Sequence, residues 1–369
     1  MSHARKIRVC VVLSDMNIGG AGRAMSNIIS AFDRERFAFS VILPCGSRAR
    51  RLFVGTGADI IHLPIQGDRS FDAAAIAPLA RAIKRISPDI VHTNASLSAR
   101  IAARAAGTPA IVMTKHTADT PHGTTAAKLW QGALCTRAIA VSHGAAAALE
   151  ACGMPREKIR IIANGAPEIS PPRPAELRRA AADIGVGGRI IGNFARLEPC
   201  KSQEVFIHAA AICRKADPTI RFFIAGDGSR RGELEALAAR MGLGQGFVFC
   251  GQLDDPAPYM SLCTAMVSTT AGGEASSMAT IEGMCLGIPQ IMADTADNRR
   301  MTERCGLLTR PRSAESTAKA ILRLCREDRL RAQLAASARA EYLERYTAKA
   351  CAAATAEVYI EALAAAEQQ

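Results

Sequence analysis

Residues 7–32 read IRVCVVLSDMNIGGAGRAMSNIISAF, and this stretch decides the fold. The run from Ile7 to Leu13 is apolar and rich in β-branched residues, so it predicts a buried strand. A glycine-rich turn, Asn17-Ile-Gly-Gly-Ala-Gly-Arg23, follows the strand and leads into a helix expected over Ala21 to Phe32. A strand, a tight turn and a helix in succession are typical of an α/β unit that builds a parallel sheet.

The same alternation of short apolar runs and Ala-rich amphipathic stretches continues along the whole chain. Strands are predicted at Phe39 to Leu43, Asp59 to Leu63, Ile90 to Thr93, Ala110 to Thr114, Ala138 to Val141, Arg189 to Phe194, Arg221 to Ala225, Phe247 to Cys250, Ala265 to Ser268 and Gln290 to Ala293. Because helices separate these strands, the pattern predicts doubly wound parallel sheets covered on both faces.

The length of 369 residues exceeds the usual size of one hydrophobic core, so two domains are expected. The proline-rich stretch Ser170-Pro-Pro-Arg-Pro174 divides the two series of strands and reads as a linker. We therefore predict Rossmann-like domains over 1–170 and 171–345. A last helix over 346–369, after a break at Tyr346-Thr347, is expected to cross back to the first domain.

Composition and local patterns argue against a secreted, a membrane-spanning and a structural-zinc protein. An apolar fraction of 49% and a charged fraction of 22% indicate a soluble globular chain. The apolar run near the N-terminus is too short for a signal peptide, and no 18-residue apolar span is present, which predicts a cytoplasmic protein. The 12 cysteines are scattered without a Cys-x-x-Cys pair or a His cluster, so free thiols and no structural zinc are expected.

The net charge of +12 is distributed unevenly. Residues 1–170 carry 21 Lys and Arg against 11 Asp and Glu, whereas residues 171–369 carry 25 against 23. An anionic partner for the first domain is one interpretation, and general solubilising charge is the other. Since aromatic residues are only 4% and no stacking or recognition-helix motif is found, nucleic acid is not expected. The favoured partner is an anionic membrane surface on the inner face of the cell membrane.

Two acids flank the predicted start of a helix in Glu274-Ala-Ser-Ser-Met-Ala-Thr-Ile-Glu282. If the helix begins near Ser277, Glu282 lies inside it and Glu274 lies just before its N-terminus. The unpaired N–H groups and the dipole at that end favour an anion, which suits a diphosphate held between the two carboxylates. The alternative is an ordinary capped helix with two surface acids.

Three further groups follow predicted strands, where ligands of parallel sheets bind. Arg196 and Lys201 share one strand-to-helix loop and could clamp a diphosphate, although a solvated pair is the alternative. His116 could contact a sugar hydroxyl, or it could cap the strand end as a structural histidine. Gly19 and Gly20 allow backbone amides to approach a phosphate, or they form a plain turn.

No Asp-x-Asp motif follows a strand in the way that a metal-diphosphate site requires. Asp254-Asp255 is followed by Pro256 and fits a loop or a helix cap better. Charge neutralisation is therefore expected from arginine, lysine and backbone amides, with no metal ion and no other cofactor.

Taken in this order, these residues resemble the retaining glycosyltransferases of family 4, which have the GT-B fold. The resemblance covers nearly the whole chain and runs through Gly19-Gly20, Ile162-Ala-Asn-Gly165, Arg196, Lys201, Phe223-Ile-Ala-Gly-Asp-Gly228, Val248-Phe-Cys-Gly251 and Glu274 to Pro289. It implies that the second domain binds a nucleotide-diphosphosugar and that the first domain binds a glycan or glycolipid acceptor, with a cleft between them.

The resemblance also implies roles for single residues. Glu282 would bond the ribose hydroxyls and Glu274 the hydroxyls of the transferred sugar. The amides around Ser276, Ser277 and Met278 would meet the sugar or the diphosphate, and Arg196 and Lys201 would lie on the phosphates. Gly20 would close on the phosphates from the other domain, and His116 would touch the sugar.

The implied reaction is retaining transfer of a hexose or N-acetylhexosamine, from a UDP-sugar or from GDP-mannose, to a surface-polysaccharide, lipid-linked or lipopolysaccharide intermediate. A nucleotide-sugar 2-epimerase and a non-catalytic nucleotide-sugar-binding protein are the alternatives. The sequence departs from the family pattern where Ser202 follows Lys201 and Ala275 follows Glu274, since glycine is usual at both positions. These departures bear on the identity of the donor.

Overall fold

The computed structural model describes residues 5–94, 96–119, 132–185, 188–272 and 276–368. The chain forms two compact units, one made of Met1–Pro167 with Thr347–Gln369 and the other of Glu168–Tyr346. Each unit contains one parallel sheet with helices between the strands. The predicted doubly wound architecture is confirmed.

In the first unit the sheet has the strand order β3-β2-β1-β4-β5-β6-β7. Its strands are β1 (Ile7–Val12), β2 (Phe37–Pro44), β3 (Asp59–Leu63), β4 (Ile90–Thr93), β5 (Ala110–Lys115), β6 (Arg137–Ala140) and β7 (Ile159–Ile161). Its helices are α1 (Gly20–Ala31), α2 (Arg50–Phe53), α3 (Ala73–Ile86), α4 (Leu97–Ala105) and α5 (His143–Glu150).

The alternation of side chains along β1 separates two cores. Val9 and Val11 pack into a cluster with α1 on one face of the sheet. Cys10 and Val12 pack into a second cluster with α3 and α4 on the other face. Because successive residues of a strand point to opposite faces, one continuous apolar run fills both layers.

The C-terminal helix completes the first unit. A π-helical turn over Tyr342–Tyr346 ends at Thr347, whose side chain caps α14 (Ala348–Glu367) by accepting from the Ala350 N–H at 3.2 Å. Ala352, Val358 and Tyr359 of this helix lie in the same buried cluster as α1. The helix therefore supplies part of the core that covers one face of the first sheet.

The second unit has the strand order β10-β9-β8-β11-β12-β13. Its strands are β8 (Ile190–Phe194), β9 (Arg221–Ala225), β10 (Phe247–Gly251), β11 (Ala265–Ser268), β12 (Gln290–Ala293) and β13 (Gly306–Thr309). Its helices are α6 (Pro174–Ile184), α7 (Gln203–Ala216), α8 (Arg231–Arg240), α9 (Ala257–Ser261), α10 (Met278–Cys285), α11 (Ala296–Thr302), α12 (Ala314–Arg326) and α13 (Asp328–Glu341).

In this sheet the first strand of the unit, β8, lies between β9 and β11. The loops that follow β8 and β11 therefore leave the same edge of the sheet in opposite directions. Such a switch point opens a crevice at the carboxyl ends of the strands, where ligands of doubly wound sheets bind. None of the helices that the structure describes is long and apolar enough to cross a membrane.

Candidate active site

The loop after β8 carries the two predicted cations. Arg196 is exposed and Lys201 is half-buried, and Lys201 ends a short 3-10 turn over Pro199–Lys201 that precedes α7. The Gln203 side chain donates to the Arg196 carbonyl at 2.7 Å, so the first turn of the helix fixes the start of the loop. The backbone that positions both cations is thus tied to the helix that follows it.

Ser202, which stands where glycine is usual, adopts a left-handed conformation with φ of 50°. A residue with a Cβ is strained in that region by about 1 kcal/mol or more, whereas glycine is not. Serine in place of the usual glycine therefore has a strained backbone conformation directly after Lys201.

Replacing Ser202 by glycine is expected to stabilise the protein. Relief of the strain outweighs the larger entropy of glycine in the unfolded chain, for a net gain of about 0.5–1 kcal/mol. Urea unfolding measures the change, with Ser202→Ala as the control that keeps the Cβ. An equal gain in both variants would show that loss of the hydroxyl, and not the backbone, is responsible.

The loop after β11 meets the loop after β8. The Thr269 hydroxyl donates to the backbone carbonyl of Lys201 at 2.9 Å, and Thr269 is buried. The next residue, Thr270, accepts at its carbonyl from the Asn298 side chain at 3.4 Å. Asn298, which lies on α11, also donates to the Ala293 carbonyl at the end of β12. Both α11 and β12 therefore stabilise the loop after β11. The Thr269–Lys201 hydrogen bond therefore joins the two loops at the switch point directly.

The helix that was predicted to begin near Ser277 is α10. Ser277 is its N-cap, and its hydroxyl oxygen accepts from the Thr280 N–H at 3.4 Å. The first amides of the helix, from Met278 onward, lack intrahelical acceptors, which makes this end suited to an anion. Ser276 and Glu282 are half-buried, and Glu282 lies one turn into the helix. Glu274 lies outside the described residues.

The glycine motif after β9 packs against the loop that carries Arg196 and Lys201. A Cβ on Gly226 would lie 2.0 Å from the Ala195 carbonyl oxygen, and one on Gly228 would lie 2.5 Å from that of Leu197. Both contacts are impossible for a residue with a side chain. The Gly226-Asp-Gly228 segment therefore packs directly against the backbone that carries Arg196.

Hydrogen bonds to Glu198 also stabilise the loop after β8. Its carboxylate accepts from the Ser229 hydroxyl at 2.8 Å and from the Ser229 N–H at 3.3 Å. These two hydrogen bonds hold the pKa of Glu198 below its usual value, and the charge of Arg196 contributes in the same direction. The carboxylate thus keeps its charge beside Arg196 in the mildly acidic range as well.

In the first unit, Gly19 is the N-cap of α1 and Gly20 is its first residue. The predicted strand, turn and helix therefore occur in that order. The Asp15 carboxylate lies near Gly19, at 3.8 Å from the position that a Cβ would take there. Burial raises the pKa of Asp15, and the Asp68 carboxylate acts in the same direction. Asp15 was not among the predicted site residues.

His116 follows β5 and lines a small cavity together with Thr114, Asn164 and residues of α1 and α14. Both of its ring nitrogens are buried, and within the described ranges neither has a hydrogen-bond partner. Burial lowers the pKa of His116 to about 4, and the charge of Lys115 contributes. The ring is thus neutral near pH 7 and has one donor and one acceptor to offer.

His92 is a structural histidine. Its ring is fully buried, with Nδ1 at 2.6 Å from the Tyr359 hydroxyl and Nε2 at 2.7 Å from the Thr114 hydroxyl. Burial lowers its pKa to about 3, and the charge of His116 contributes. His62 and His143 are exposed instead, so they are not buried strand-end histidines of the same kind.

The structure therefore brings Arg196, Lys201, Ser277, Met278 and Glu282 to one edge of the second sheet, and it places Gly19, Gly20 and His116 in the first unit. Sequence reasoning missed Thr269 and Asn298. Thr269 follows β11 directly, so its strand-end position was a usable signal, whereas Asn298 had none. In the described part of the chain, no cluster of three or more His, Cys, Asp or Glu side chains could hold a metal ion.

Two family models match most of the chain between them. The model described as "Glycosyltransferase Family 4" matches residues 18–168, and the one described as "Glycosyl transferases group 1" matches residues 188–327. The putative glycosyltransferase EpsF of Bacillus subtilis is 26% identical over 326 residues, which cover 82% of this chain and 83% of EpsF.

Solved structures share the fold. The Anabaena protein Alr3699/HepE, determined with UDP and glucose, superposes with a TM-score of 0.83 at 22% identity and covers 95% of this chain and 98% of its own. A glycosyltransferase from Rickettsia africae gives a TM-score of 0.82 at 18% identity, with 98% and 99% covered. At these identities the likeness concerns the fold.

Proposed function

Because the chain belongs to the group 1 glycosyltransferases of family 4 and has their GT-B fold, we propose that it transfers a hexose or N-acetylhexosamine from a UDP-sugar with retention. The observation that carries the proposal is the hydrogen bond between Thr269 and the Lys201 carbonyl. It joins the loop of two cations to the loop that leads into α10. A diphosphate at this edge would meet both the cations and the open amides of Met278 and its neighbours.

The proposed reaction needs no protein nucleophile. The bond between the anomeric carbon and the diphosphate oxygen breaks, and the acceptor hydroxyl forms its bond to that carbon on the same face of the sugar. The departing oxygen takes the hydroxyl proton, so atoms and charge balance. Arg196 and Lys201 stabilise the negative charge that develops on the leaving diphosphate, and no metal ion is required.

Glu282 is proposed to bind the ribose hydroxyls of the donor. Its place one turn inside α10 separates it from the open end of the helix, where the phosphates would lie. The role of Glu274 on the transferred sugar and the roles of Gly20 and His116 stay predictions.

UDP-glucose is the first donor to test, since HepE was solved with it. The acceptor is proposed to be a surface-polysaccharide, lipid-linked or lipopolysaccharide intermediate; a lipopolysaccharide outer core galactosyltransferase, WaaB, shares the fold with a TM-score of 0.70. Attraction of the basic first unit to an anionic membrane surface also stays a prediction.

Donor binding tests the assignment of Glu282. Glu282→Ala is expected to weaken binding of UDP-glucose and of UDP by the same factor, roughly 10–100-fold, because both ligands contain the ribose and hydrogen bonds to a charged group contribute about 1.5–3 kcal/mol. Inorganic pyrophosphate, which lacks the ribose, should bind the variant and the wild type equally. Titration calorimetry measures all three affinities.

Glu303→Ala is the matched control, since Glu303 is an exposed acid at the end of α11 in the same unit. Its effect on UDP binding should stay within about two-fold, as expected for a surface substitution away from the site. Unchanged UDP affinity in Glu282→Ala would contradict the ribose role. Failure of every UDP-, GDP- and ADP-sugar to bind or to be hydrolysed would contradict the proposed function, and conversion of a UDP-sugar without an acceptor would favour the epimerase.

A further inference from the structure

A depression with an empty volume of about 750 Å³ lies on the first unit, and none of the residues proposed to bind the donor lines it. It opens where β2 and β3 end, and it is lined by Cys45, Gly46, Ser47, Arg48, Arg50, Arg51 and His62. Three guanidinium groups and one imidazole thus line one concave surface. No carboxylate is among the lining residues.

The three arginines are exposed, and in the part of the chain that the structure describes their side chains form no ion pair and no hydrogen bond. Other arginines of the same unit do have carboxylate partners, for example Arg137 and Arg160 with Glu361. Like charges within four residues repel one another, and an anion bound among them would remove that repulsion.

The backbone that carries the arginines is fixed by its neighbours. The Arg48 N–H donates to the Met16 carbonyl at 2.8 Å, and the Ser47 hydroxyl donates to the Asp15 carbonyl at 2.5 Å. The Cys45 N–H donates to the Leu63 carbonyl at 2.8 Å. The turn after β2 is therefore tied both to the turn after β1 and to the end of β3. A fixed backbone lowers the ordering cost of binding a ligand there.

We propose that this depression binds a phosphate or diphosphate group. Guanidinium groups match phosphate oxygens with two parallel hydrogen bonds, and three of them suit a ligand with two or more negative charges better than a single carboxylate. The depression adjoins the turn after β1 that ends in Gly19, all within the first unit. Identification of this group with the phosphate of the acceptor rests on the proposed function, whereas the anion site itself does not.

The test follows the His62 ring by NMR in the full chain while inorganic pyrophosphate is added. The wild type should show a saturable shift of the His62 signal, and the variant Arg48→Gln/Arg50→Gln/Arg51→Gln should weaken binding at least 10-fold. Because the three side chains have no partners to lose, the fold should be retained.

The control is Arg81→Gln/Lys84→Gln/Arg85→Gln on α3. These three side chains are also exposed cations of the first unit without partners among the described residues, so the variant removes the same charge. Its affinity for pyrophosphate should stay within about two-fold of the wild type. Equal losses in both triple variants would overturn the proposal in favour of general surface charge, and so would the absence of a saturable His62 shift.

Two further arms distinguish the sources of the phosphate. Sedimentation with phosphatidylcholine vesicles that contain polyprenyl phosphate, lost in the Arg48, Arg50 and Arg51 variant, would assign the site to a lipid-linked ligand. Binding of pyrophosphate without binding of these vesicles would assign it to a soluble phosphorylated ligand. Glucuronate that binds as tightly as pyrophosphate would overturn the assignment to phosphate. A failed Glu282 test would leave the His62 titration unaffected, so the two proposals can fail separately.

Discussion

Lys201→Ala is expected to lower kcat about 100–1000-fold while KM for the donor changes only a few-fold. The lysine is proposed to act on charge that develops as the diphosphate departs, so its contribution is larger in the transition state than in the ground state. Loss of one preorganised contact of this kind raises the barrier by about 3–4 kcal/mol. Steady-state kinetics with saturating acceptor separates the two parameters.

Two variants make this result specific. Lys201→Arg keeps the charge and should retain part of the activity. Lys215→Ala removes an exposed lysine from the last turn of α7, at the end of the helix far from Lys201, and should leave kcat unchanged. If Lys201→Ala raised KM without lowering kcat, the lysine would bind the donor uniformly and would not stabilise the leaving group.

The bounds of the predicted strands agree with the structure to within two residues, because most of these strands are continuous apolar runs buried on both faces. The exceptions are β7 (Ile159–Ile161) and β13 (Gly306–Thr309), which were missed. Each is a short strand at the edge of its sheet. Arg160 interrupts the first and Gly306 begins the second, so neither produces a clear apolar run. The boundary between α12 and α13 at Glu327 is likewise not marked by a glycine or a proline.

Residues of the candidate site could be predicted from the sequence only where they lie in a loop that follows a predicted strand. The strand-end rule selects Arg196, Lys201 and His116 as candidates, because the carboxyl edge of a parallel sheet is where loops carry function. It could not find that Thr269 donates to the Lys201 carbonyl, because a bond from a side chain to a distant backbone depends on how two loops meet. The sequence shows that serine replaces the usual glycine after Lys201. Only the dihedral angle shows that Ser202 has a strained backbone conformation.

The histidines His92 and His116, whose ring nitrogens are buried, make the stability of the first unit depend on pH. In the folded chain their pKa values are lowered to about 3 and about 4, whereas an unfolded histidine titrates near 6.5. Between pH 6.5 and 4 the unfolded chain therefore binds protons that the folded chain does not. The stabilisation that comes from the two neutral rings is fully present above pH 6.5. As the pH falls below 6.5, the free energy of unfolding decreases by up to about 1.4 kcal/mol per pH unit for each histidine.

Urea unfolding at pH 7.0 and pH 5.0 measures this dependence, and the free energy of unfolding should be several kcal/mol lower at pH 5.0, by up to about 4 kcal/mol. Carboxylates also begin to titrate near pH 5, so the histidine share is isolated with His92→Gln, which cannot take up a proton. That variant is expected to be less stable at pH 7.0, because Tyr359 and Thr114 lose the ring between them. Its loss of stability between the two pH values should nevertheless be smaller than that of the wild type. An equal loss would mean that His92 remains neutral in the unfolded chain or becomes protonated in the folded one, and either result would contradict the burial of its ring as the cause.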